Sequence, residues 1–105
     1  MKSIYQYLYE SINMASHKHY TKFPKSKEEL KQMIEDEISK NGYQCSLNHI
    51  DVSRITDMSR LFYNSKFYGD ISGWDVSNVE NMQFMFYDTP LEKNPPKWYK
   101  LINSL

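Results

Sequence analysis

Residues 50–63, IDVSRITDMSRLFY, and residues 74–87, WDVSNVENMQFMFY, are two versions of one phrase. At an offset of 24 residues the pairs Asp51/Asp75, Val52/Val76, Ser53/Ser77, Met58/Met82, Phe62/Phe86 and Tyr63/Tyr87 are identical. Ile55/Val79, Leu61/Met85 and Asp57/Asn81 are conservative exchanges. A pattern repeated at a fixed period of a few tens of residues marks a stacked, solenoid-type architecture, in which each unit buries its apolar side only against its neighbours.

Inside each unit, apolar and polar residues alternate around Ile50 and Val52 and around Trp74 and Val76, so residues 47–53 and 71–77 read as short strands. Next, Met58, Leu61 and Phe62, like Met82, Met85 and Phe86, fall at i, i+3 and i+4, the spacing of one or two helical turns. Residues 64–70, which include Gly69, would return the chain to the next strand. Asp51, Asp57, Asp70 and Asp75 recur with the repeat, which points to turn-forming bonds from side chain to backbone rather than to paired catalytic carboxylates.

Upstream, Ser26 followed by Glu29 is a capping box. Leu30, Met33, Ile34 and Ile38 then share one face, and Asn41-Gly42 supplies a stop, predicting a helix over residues 27–40. An earlier helix of about ten residues is expected from Ser3, with Gln6 completing its capping box and Ile4, Leu8 and Ile12 on its apolar face. Residues 15–25 show no period and read as a connector. Downstream, Pro90, Pro95 and Pro96 cannot continue a ladder, so Trp98, Tyr99, Leu101 and Ile102 are expected to fold back as a cap. The resulting expectation is one domain over residues 1–105, comprising a helical N-terminal cap (1–42), two repeats (43–88) and a C-terminal cap (89–105).

The 105 residues are 40% hydrophobic and 25% charged, an ordinary globular balance. Nine Tyr, five Phe and two Trp are many for this length. Rings must supply much of the core, and those left over favour interfaces. Tyr63, Tyr68, Trp74, Phe84, Tyr87 and Trp98 are the candidate partner-binding residues. A net charge of zero gives no global attraction to nucleic acid or anionic membrane. The opening MKSIYQYLYESINM has neither the apolar run nor the cleavage site of a secretory signal, and no apolar stretch reaches membrane-spanning length. A single cysteine, Cys45, fits a reducing compartment, so a cytoplasmic location is expected.

No catalytic, cofactor-binding or metal-ligating constellation is read from the sequence. Cys45 and His49 stand at i, i+4, but two ligands do not hold zinc, and His17 and His19 add no ligand spacing. Neither a glycine-rich phosphate loop nor a nucleophile triad is present. The stretch 18–31 carries Lys18, Lys22, Lys25, Lys27 and Lys31 with Tyr20 and Phe23, a composition that can bind nucleic acid, though Glu28 and Glu29 dilute its charge.

The stretch DVSRITDMSRLFYNSKFYGDISGWDVSNVENMQFMFY resembles the BspA-like leucine-rich repeats of bacterial, mobile-element and protist proteins, over roughly residues 47–88. The resemblance implies a stack of parallel strands and a protein-binding role without catalysis. It differs from most such proteins in having two repeats and no export signal, which makes the chain more like phage and mobile-element products. The fold expected is therefore α+β, with N-terminal helices capping a very short leucine-rich-repeat-like stack of parallel strands and short helices. The function expected is a small intracellular module that binds another protein, from host or phage, such as a phage-encoded inhibitor of a host defence complex like a CRISPR nuclease. The alternatives are a self-associating virion component and a nucleic-acid binder using residues 18–31.

Overall fold

The computed structural model describes Ile4 and residues 20–103. The helix expected from Ser3 lies, apart from Ile4, outside the described residues. The helices that follow are α1 (Lys27–Asn41), α2 (Pro90–Lys93) and α3 (Lys97–Asn103). None of them is long and apolar enough to cross a membrane.

Helix α1 starts where its cap dictates. Ser26 Oγ accepts the N–H of Glu29 at 3.2 Å, satisfying one of the free donors of the first turn. It ends where Gly42, at φ 90°, donates its N–H back to the Ile38 carbonyl. Leu30 and Ile34 are buried, with Met33 and Ile38 packed against the same core.

The expected α+β stack of parallel strands is not what the repeats build. No β-sheet forms among the described residues, and parallel pairing is confined to three isolated bridges, Lys22 with Ile50, Ser46 with Asp70 and Asp57 with Asn81. The chain turns too often to stay extended. Within residues 47–53 the N–H of Ile50 closes a turn on the Leu47 carbonyl (3.1 Å), and that of Ser53 is drawn to Asp51 Oδ1 (3.0 Å). Within residues 71–77 the same two bonds run from Trp74 to Ile71 (3.2 Å) and from Ser77 to Asp75 (3.0 Å). The apolar spacing read as alternation is the spacing of turn ends. Ile55 closes on Val52, Leu61 on Met58, Val79 on Val76 and Met85 on Met82, each i to i+3.

The short helices expected after each strand are also absent. Arg60 and Phe84 both stand at φ 57°, in the left-handed region, and Asn64 and Asp88 at 58° and 56°. A right-handed helix cannot run through such residues. Met58, Leu61 and Phe62 still point inward, because a single turn has the same i, i+3 spacing.

What results is two layers of turns, residues 47–64 and 71–88, with the same conformation and one upon the other. The N–H groups of Met58, Arg60, Phe62 and Asn64 donate to the carbonyls of Asn81, Gln83, Met85 and Tyr87, at 2.8–3.0 Å. Asp51, Asp57, Asp70 and Asp75 each accept the N–H two residues on, from Ser53, Ser59, Ser72 and Ser77. Phe62 stacks on Phe86 with ring centroids 5.9 Å apart, and also on Phe67 at 5.0 Å and Trp74 at 5.9 Å. Trp74 and Trp98 are fully buried, and their indole N–H groups make the same bond one repeat apart, to the carbonyls of Leu47 and Ile71, both 2.9 Å. Each ring removes roughly 150–250 Å² from water, at about 25 cal/mol per Å².

Two contacts hold α1 against the first layer. Lys27 Nζ reaches Asp57 Oδ2 (3.3 Å), Ser59 Oγ (3.1 Å) and the Ser59 carbonyl (3.3 Å). Towards the other end, Glu37 Oε1 lies 3.1 Å from His49 Nε2. The hydrogen bond with His49 holds the Glu37 carboxyl below its ordinary range, against the opposing effect of burial. Asp57 is likewise held low, chiefly by the Ser59 hydroxyl and amide, with Lys27 adding to the effect. Residues 21–22, expected as mere connector, pair with the first layer: the N–H groups of Thr21 and Lys22 donate to the His49 carbonyl, and Asp51 donates to that of Lys22.

Two outcomes follow from this packing. A Cβ at Gly69 would collide with the Cys45 carbonyl and press on the Phe67 ring. Gly69→Ala should therefore cost about 1–3 kcal/mol, the range for forcing extra atoms into a packed site, read as a lower urea midpoint; an unshifted midpoint would mean the layers approach less closely. Because Glu37 titrates lower folded than unfolded, its stabilisation is present above its unfolded value and lost as pH falls through the folded one. The stability gap between wild type and Glu37→Gln should thus be widest near neutrality and shrink on acidification, in urea melts over a pH series. A gap independent of pH would contradict this role.

Candidate interaction surface

The six aromatic residues singled out from the sequence divide into three groups. Trp74 and Trp98 are not surface anchors: both lie at 0% exposure in the core, each tied by its indole to a backbone carbonyl. That corrects the expectation for them. The cause is the repeat itself, which sets Trp74 at the position of Ile50 and Trp98 one period later, both inward-facing. Tyr68 is 57% exposed but makes no ring contact with the others; its N–H donates to the Tyr43 carbonyl.

Tyr63, Phe84 and Tyr87 come together on the outside. Tyr63 and Tyr87 lie face to face, with centroids 5.2 Å apart and planes 13° from parallel. Phe84 meets Tyr87 edge-on at 6.0 Å. All three keep about half of their surface in water, 43%, 54% and 49% respectively. Arg60, which the sequence reading passed over, completes the group, its guanidinium carbon 5.7 Å from the Tyr63 ring centre and 5.6 Å from that of Phe84. Its position was legible in one respect, since Arg60 and Phe84 occupy equivalent places 24 residues apart and so must stack.

The local backbone explains the outward aim. Left-handed φ at Arg60 and Phe84 turns those side chains away from the turn that buries Leu61 and Met85. For residues other than Gly, Asn and Asp this conformation costs roughly 1–2 kcal/mol. Asn64 and Asp88 adopt it at little cost, and they follow the two tyrosines directly. Beside the cluster, Phe84, Phe86, Tyr87, Glu92 and Tyr99 line a surface groove of about 230 Å³.

The other candidates are absorbed into structure. Cys45 is half-buried, and burial, helped by the negative charge of Glu37, pushes its thiol up, disfavouring the nucleophilic thiolate. His49 is engaged with Glu37 rather than with Cys45. Among the described residues no group of three His, Cys, Asp or Glu side chains is placed to hold a metal ion, and His17 and His19 lie outside them. Of the basic stretch, Lys27 is drawn to Asp57 and Ser59, and Lys18 lies outside the described residues.

No curated protein and no solved structure matches the chain. A family model described as "Mycoplasma protein of unknown function, DUF285" matches residues 12–100, which include both layers, α1 and most of the C-terminal segment. The match spans well over half of the sequence, and the chain belongs to that DUF285 family.

Proposed function

We propose that the chain is a protein-binding module without catalysis, and that Tyr63, Phe84 and Tyr87 with Arg60 form its contact surface. One observation carries this reading. Phe84 is both half-exposed and held at a left-handed φ, so it bears two costs that the core does not repay. Strain of this kind tends to sit where a chain binds. Tyr, Phe and Arg are also the residue types enriched at protein interfaces and their hot spots. The repeats are read as BspA-like leucine-rich repeats, a class whose role is to present such a surface.

In the narrower version the chain is a phage or mobile-element product acting in the bacterial cytoplasm on a host defence complex, such as a CRISPR nuclease. The resemblance of the repeats to mobile-element proteins supports that version. The nucleic-acid reading is weaker, because the Lys27 ammonium is already occupied.

The test separates binding from folding. In Phe84→Asn, loss of the ring contact costs about 0.5–1.5 kcal/mol, and relief of the left-handed strain returns about 1–2 kcal/mol. Stability should therefore stay within about 1 kcal/mol of wild type, while capture of a discrete protein from bacterial lysate is lost. Tyr87→Ser should lose the same protein. Unchanged capture by both variants would remove these rings from the function, and assembly of the pure protein in sedimentation would favour the virion alternative.

A further inference from the structure

The exposed rings of the contact surface are gathered around a cation. The Arg60 guanidinium carbon lies 5.7 Å from the centre of the Tyr63 ring and 5.6 Å from that of Phe84, within reach of cation–π attraction. Its backbone fixes the root of the side chain, with φ at 57° and the N–H donating to the Gln83 carbonyl at 2.9 Å. Tyr63 is steadied in turn by Tyr87, and Tyr87 by Phe84. Arg60 is therefore held in place by its surroundings. The rings attract its charge but have no paired oxygens to offer. A guanidinium is a planar fork of five N–H donors, shaped to grip both oxygens of a carboxylate. Among the described residues the ion pairs are Lys27 with Asp57 and Glu37 with His49, and no acidic side chain is paired with Arg60.

The charges beside the rings limit what can meet that fork. Glu92 is the charged member of the groove that Phe84 and Tyr87 share with Phe86 and Tyr99. In the adjoining hollow Asp88 and Glu92 are matched by Lys66 and Lys93, so it favours neither sign. A nucleic acid brings a negative charge with every nucleotide and would meet Asp88 and Glu92 as well as Arg60. A protein segment with one acidic side chain avoids that repulsion.

We infer that Arg60 is the receptor for a carboxylate of the partner protein, on an Asp or Glu next to an aromatic side chain that packs on Phe84 and Tyr87. The inference deepens the protein-binding reading and rests on it. The two parts of the ligand support each other. An exposed ion pair alone is worth little. An aromatic neighbour laid over the rings excludes water from the guanidinium, and its attraction to the acid then rises. Left-handed turns at Arg60 and Phe84 present cation and ring together from successive layers, so the partner's acid and ring are read at one place.

The probes are two peptides, acetyl-GDWG-amide and acetyl-GNWG-amide, alike in shape and different in charge. Each is titrated into the full chain and followed by NMR, through the Arg60 Nε–H signal and the backbone amides of Phe84 and Tyr87. Both should shift the two amides. The acidic peptide should bind about three- to fivefold more tightly, and it alone should move the Arg60 signal. Near 1 M sodium chloride, where charges are screened beyond about 3 Å, the preference should vanish. In Arg60→Gln it should vanish at low salt too; the salt series needs no variant and decides even where this one does not fold. The inference is overturned if neither peptide binds at millimolar concentration, if the preference survives high salt or Arg60→Gln, or if a thymidine oligonucleotide shifts the same signals at lower concentration. Equal binding of the two peptides at the rings overturns the carboxylate and spares the protein-binding reading. A preference that Arg60→Gln abolishes, with no protein captured from lysate, does the reverse.

Discussion

Four hydrogen bonds from one run of turns to the next, at a separation of 23 residues each, hold this small protein in register. They fix how far apart the two copies of the phrase lie, and every other repeated contact follows from that spacing. Phe62 can meet Phe86, Tyr63 can meet Tyr87 and Arg60 can meet Phe84 only when the backbones are bonded at this offset. Because the bonds join turns and not strands, the layers need neither a flat sheet nor a long extended run. Asx turns at Asp51, Asp57, Asp70 and Asp75 pre-form the bends, so that little conformational freedom is left to remove when the layers meet.

The period was the legible part of the fold. Identical residues at 24-residue spacing named the two layers, and Ser26, Glu29 and Gly42 named the limits of α1. The secondary structure within each layer was not legible. Ile50 and Val52 look like alternate residues of a strand, yet the same positions serve as the end of one turn and the start of the next. Apolar spacing alone does not separate the two. Left-handed residues decided the matter, and Arg60 and Phe84 give no sign in the sequence of adopting that conformation, unlike Asn64 or a glycine.

The candidate surface was half legible for a related reason. Aromatic abundance pointed to exposed rings but not to which ones. Trp74 and Trp98 had the composition of anchors and the position of core residues, and position prevailed: Trp74 stands one period from buried Ile50, and Trp98 one period from Trp74. Applied to all six rings, that rule sends both tryptophans inward and pairs Tyr63 with Tyr87 on the outside. Arg60 would then have been found as the partner of Phe84.

A stack of two layers has two ends, and a helix covers each. At one end α1 lays Leu30 and Ile34 over the apolar side, and Lys27 reaches the Ser59 carbonyl. At the other, α3 covers the side chains with Trp98 and Tyr99. A helix can replace a layer as hydrophobic cover, since dispersion and water exclusion are non-directional. It cannot replace a layer as a hydrogen-bond partner, because its own carbonyls are turned along its axis. The register of the fold is therefore set between the layers, where backbone meets backbone, and the helices at either end add cover.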